Sequence, residues 1–144
     1  MLTRRHQRKP NITVAKLQVM LPRIRGRLVQ AQFYLRNGDC ANFAIALGRV
    51  LGSKAYYAVY GDRQDWFEGA ASHCTLRWKR KLWDGNGVTS VKKLKQRHLK
   101  LNRSVPTAEQ DMILSKATLR RLEFIVDDER VDIIEQLIRP IVER

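Results

Sequence analysis

The chain has 144 residues, 28 Lys or Arg against 14 Asp or Glu, a formal net charge of +14 and 44% hydrophobic residues. That length supports one core and hence a single domain over 1–144, and the apolar content with three tryptophans excludes a disordered chain. No apolar run reaches membrane-spanning length, no small-residue cleavage site follows the basic N-terminus, and two cysteines are too few for a disulfide framework, which points to a reducing cytoplasmic setting.

Residues 1–11 read as a flexible basic arm. From Thr13 to Leu35, apolar residues Val14, Leu17, Leu21, Ile24, Leu28, Ala31 and Leu35 recur every three or four positions, so an amphipathic helix is expected, kinked or split by Pro22 and Gly26. "RNGD" then supplies turn chemistry, with Asp39 as the expected cap of a short helix from Cys40 to Gly52. "KAYYAVYGD" predicts a strand over 54–60, and "HCTLRWKRKLWDGNG" two short strands, 73–78 and 81–83, around a basic turn. After a basic connection over 88–103, Thr107 and Gln110 form a capping-box pattern that predicts C-terminal helices over 107–144, the last beginning at "DDE", Asp127 to Glu129. Together these elements predict an α+β fold.

The charge is unevenly distributed. Residues 1–38 hold nine bases and no acid, and 79–103 hold nine with Asp84 the single acid. From 104 onward, nine acids face six bases. Such a field attracts phosphate backbones or acidic partners, or serves as a solvated surface. Arg4, Arg5, Arg8, Lys9, Lys92, Lys93, Lys95, Arg97 and Lys100 are the candidates for gripping nucleic acid or an acidic protein. If they bind duplex, log affinity should fall linearly with log salt, by about 0.9 per phosphate contact. Fluorescence anisotropy reads this directly, and no binding near physiological salt removes the reading.

Cys40 raises the chemical question. A free cysteine is ordinarily a small buried hydrophobe, and a nucleophilic one needs a helix N-terminus or an imidazole beside it. The predicted helix supplies the first. His73 opens a predicted strand, and Asp84 closes the next, close to opposite it across the hairpin. Alternation directs Cys74 away from the His73 side, so it reads as packing. Zinc binding by Cys40, His73 and Cys74 lacks a fourth ligand. Trp66, Trp78 and Trp83 read as core or pocket wall rather than a base-stacking platform.

"GDCANFAIALGRVLG", "AYYAVYG" and "SHCTLRWKRKLWDGNG" together resemble the core of the papain-like cysteine fold in its transglutaminase-like branch, over residues 37–86 or roughly a third of the chain. The resemblance implies a Cys-bearing helix packed on an antiparallel sheet and flanked by N- and C-terminal helices. It further implies Cys40 as nucleophile, His73 as general base and acid, Asp84 as orienting carboxylate, and an oxyanion hole using the backbone N–H of Cys40. Asn37 and Gln32 are the candidates for its second donor. The expected function is acyl transfer on a peptide or amide through a thioester, resolved by water or an amine, with no metal or organic cofactor. The alternative is a basic nucleic-acid or acidic-protein binding module without catalysis.

Overall fold

The helix from Cys40 to Leu51 is so short of polar residues that water cannot be its environment, and in the computed structural model every one of its residues except Arg49 is buried. The structure describes residues 11–35, 38–61, 73–94, 96, 107–113 and 125–143. In chain order the elements are α1 (Val14–Gln30), α2 (Cys40–Leu51), β1 (Ala55–Gly61), β2 (His73–Trp78), β3 (Lys81–Asp84), β4 (Gly87–Thr89), β5 (Thr107–Ile113) and α3 (Asp128–Val142). The arrangement is α+β: one antiparallel sheet of order β4-β3-β2-β1-β5, with α2 lying between β2 and α3, and α1 packed on α3.

Period-two alternation sorts the strands into two faces. Tyr56, Ala58, Cys74, Leu76 and Trp83 join the main core with Phe43 and Leu47 of α2 and Ile134 and Ile138 of α3. On the other face Tyr57 and Leu82 form a smaller cluster with Leu94, on a helical turn at 91–94. Trp83 is fully buried and donates its indole N–H to the Trp78 carbonyl at 3.0 Å, so both rings belong to the wall of the core. Trp66 lies outside the described residues.

α2 packs tightly at Gly48 against Leu76 of β2 and the start of the next connection. Gly52 (φ 79°) ends the helix in the left-handed region, with its N–H on the Gly48 carbonyl, and turns the chain directly into β1. This return presses the Ser53 carbonyl and the Leu76 side chain against Gly48, and a Cβ there would collide with the carbonyl oxygen and crowd Leu76. Gly48→Ala should therefore cost about 1–3 kcal/mol by overpacking, despite alanine's better helix propensity. Urea denaturation checks this, and an unchanged or raised midpoint would contradict it.

Two expectations are corrected. α1 is not divided into two short helices: it runs on to Gln30 with Pro22 and Gly26 inside. Pro22 and Gln18 are both exposed, so water can satisfy the carbonyl that the missing N–H leaves behind. The expected helix at 107 is instead strand β5, paired along its length with β1 from Ala55↔Ile113 to Gly61↔Thr107. The expected helices over 107–144 therefore reduce, among the described residues, to α3. The basic arm at 1–10 lies outside the described residues, while Ile12 is buried and its carbonyl accepts from Lys79 Nζ at 2.6 Å.

Candidate active site

α2 begins at Cys40, β2 begins at His73 and β3 ends at Asp84, and the antiparallel packing brings these three element ends together. Cys40 is 6% exposed and Asp84 3% exposed. The His73 Nε2 lies 2.9 Å from Asp84 Oδ2, and the His73 ring also hydrogen-bonds the Cys40 sulfur. With Nε2 on the carboxylate, Nδ1 is the ring nitrogen left for the sulfur. Asp84 Oδ1 accepts from the Asn86 backbone N–H at 2.8 Å, so the turn after β3 holds the carboxylate that orients the imidazole. That turn is itself backed by the loop before α2: a Cβ at Gly85 would strike Leu35.

The pairing differs from direct opposition. The register Leu76↔Trp83, continued by one pair, sets Asp84 opposite Thr75, so His73 and Asp84 are diagonal neighbours. The imidazole is long enough to span that diagonal. Alternation carries Cys74 into the helix-facing core, yet the His73 ring also reaches Cys40, because His73 opens the strand and two hydrogen bonds hold its ring.

The electrostatics favour an imidazolium. Burial alone would lower the His73 pKa, but hydrogen bonds to Asp84 and Cys40, together with the negative charge on both, outweigh it and raise the value to about 9. Cys74 is fully buried, and burial followed by the charge of Cys40 pushes its thiol well above the ordinary range. Of the two free cysteines, Cys74 is thus the inert one.

Sequence reasoning missed the groups that fix the start of α2. Asp39 does not cap the helix. Its carboxylate accepts from Arg130 Nε (2.8 Å) and Nη2 (2.7 Å), from the Tyr34 N–H (2.8 Å) and from Asn42 Nδ2 (3.0 Å), while Asn42 Oδ1 accepts from the Asp127 N–H (2.9 Å). Burial would raise the Asp39 pKa, but the Arg130, Tyr34 and Asn42 hydrogen bonds and the Arg130 charge prevail and hold it below 3.8. Arg130 stands 91 residues away, and no local pattern announces it.

Of the oxyanion candidates, Gln32 is exposed at φ 65°, its backbone N–H donates to the Val29 carbonyl at 3.0 Å and its own carbonyl accepts from Arg130 Nη2 at 3.5 Å. Asn37 lies outside the described residues. Lys92 and Lys93 are exposed on the turn at 91–94, whereas Arg4, Arg5, Arg8, Lys9, Lys95, Arg97 and Lys100 lie outside the described residues. Among the described residues no group of three or more His, Cys, Asp or Glu could hold a metal ion, and no helix is long and apolar enough to cross a membrane. No protein-family model matches the sequence, and neither a curated protein nor a solved structure matches it.

Proposed function

We propose that this protein is a cysteine-dependent acyl-transfer enzyme of papain-like architecture, in the transglutaminase-like branch, acting on an amide or peptide through Cys40, His73 and Asp84. One observation carries the reading: a single imidazole is hydrogen-bonded both to a sulfur at a helix N-terminus and to a buried carboxylate. Structural histidines need one such partner, and a nucleophile–base–orienter set needs both.

The chemistry follows from the donors and acceptors. The Cys40 sulfur attacks the carbonyl carbon, and the carbonyl oxygen takes up negative charge near the first N–H groups of α2. Imidazolium His73 gives its proton to the leaving amine as the C–N bond breaks, forming a thioester and a neutral imidazole. That imidazole then takes a proton from water, giving hydrolysis, or from a second amine, giving transamidation. Asp84 keeps the ring in register and stabilises its charged form. Free thiols that must remain reduced fit a cytoplasmic setting.

The test is acylation by p-nitrophenyl acetate, followed by mass spectrometry of the intact and digested protein. An acetyl group on Cys40, discharged by hydroxylamine and lost in His73→Gln, supports the reading. Acetylation spread over lysines and insensitive to His73 removes it.

A further inference from the structure

Among the described residues, α2 starts differently from α1 and α3. Thr13 and Asp127 stand before α1 and α3 in extended backbone geometry (ψ 161° and 109°), and each accepts an N–H of the first turn through its side chain. This is ordinary N-capping. Asp39 occupies the same position before α2 but has φ −105° and ψ 6°, and its side chain makes no cap hydrogen bond.

The Asp39 side chain is held from α3 instead. Both Asp39 oxygens are turned to the Arg130 guanidinium, which lies over the Phe33 ring at 4.5 Å, and the Asn42 bridge to Asp127 ties the two helix starts together. A carboxylate capping α2 would place a full negative charge against the positive end of the helix, beside the sulfur. Held by Arg130, it does neither: its charge is matched and its oxygens are occupied.

We infer that Arg130 is a positioning residue for Cys40, holding Asp39 off the first turn of α2 so that the positive end of the helix is left to the sulfur. This rests on Cys40 being the nucleophile. The groups facing that sulfur are His73 and Cys74 from β2, and Asp84 from β3 through His73. Asp39 precedes it on its own helix, and Arg130, with Asp127 beside it, answers from α3. Without Arg130, the Asp39 carboxylate regains the capping position and opposes a negative sulfur.

The experiment is the pH profile of Cys40 alkylation by iodoacetamide in the full chain, site-resolved by mass spectrometry. Arg130→Met should move the profile up by about one unit, which slows Cys40 labelling up to about tenfold at pH values below the wild-type midpoint. Asp39→Asn combined with Arg130→Met removes the opposing charge and should return the profile to near wild type. A stability effect alone would not give this reversal. Should Arg130→Met fail to fold, Arg130→Lys keeps the charge, loses the two-point grip, and should shift the profile the same way by less. A profile that coincides with wild type in the Arg130 variants, or a double variant as slow as Arg130→Met, overturns the inference. If wild-type labelling of Cys40 is no faster than that of Cys74 and insensitive to His73→Gln, the nucleophile reading falls and takes this inference with it. A silent Arg130 variant in a protein whose labelling does depend on His73 sinks the inference alone.

Discussion

His73→Gln should slow acylation of Cys40 by a factor of about 10²–10⁴, the range expected for loss of a positioned general acid–base. Glutamine is the informative replacement because Asp84 is almost fully buried and needs a donor in place of the ring. Alanine would leave a buried carboxylate one partner short and confound loss of chemistry with loss of stability. The glutamine amide can supply an N–H to Asp84 Oδ2, but it cannot take the thiol proton or return one to a leaving group. Asp84→Asn should cost less, since the amide oxygen can still accept from Nε2 and keep the ring oriented, while the charge and the hydrogen bond from the Asn86 N–H are lost. Cys40→Ser should leave nothing measurable. Single-turnover acylation of the three variants, each checked for its urea midpoint, decides the matter. Equal rates in wild type and His73→Gln would reduce the imidazole to a structural group.

How far the sequence could be read depended on the distance between partners. α2 and the β2–β3 hairpin were recoverable because their signals are local: an almost unbroken apolar run after a turn, and alternating residues around a basic reversal. The closeness of Cys40, His73 and Asp84 followed because all three mark element ends. β5 could not be recovered the same way. "TAEQDMI" carries two acids and a capping-box spacing, and it becomes a strand by pairing with β1, some fifty residues earlier, as the edge of the sheet. Edge strands tolerate such polar residues, and tertiary pairing outweighs local propensity. Asp39 failed for a related reason. Its local chemistry is that of an N-cap, and only Arg130, brought up by α3, redirects it.

The stability of the fold should itself report the site's charge state. The folded-state pKa of His73, about 9, stands above its unfolded value of 6.5, so the native protein holds a proton that the unfolded chain releases. The stabilisation is therefore complete below pH 6.5, declines as pH rises through the interval, and is gone once pH passes about 9. Its full size is on the order of 3 kcal/mol, from the shift at 1.36 kcal/mol per unit. The side chain is 15% exposed, so solvent screening removes little of it. Asp39 acts at the opposite end: its folded pKa is depressed, so its contribution is present above 3.8 and lost as pH falls below that. Between these limits neither group works against the fold. Urea midpoints from pH 6 to 10, taken as the difference between wild type and His73→Gln, isolate the histidine contribution from other titrations. Cys40→Ser removes one of the two partners that raise the His73 pKa, so the decline should begin at lower pH in that variant. Asp84→Asn, which removes the other partner's charge, should do the same. A wild-type difference that stays flat across this range would mean that His73 is not held as an imidazolium. The ring would then face the sulfur as a neutral base, and acylation would have to begin with proton transfer from the thiol rather than from a preformed ion pair.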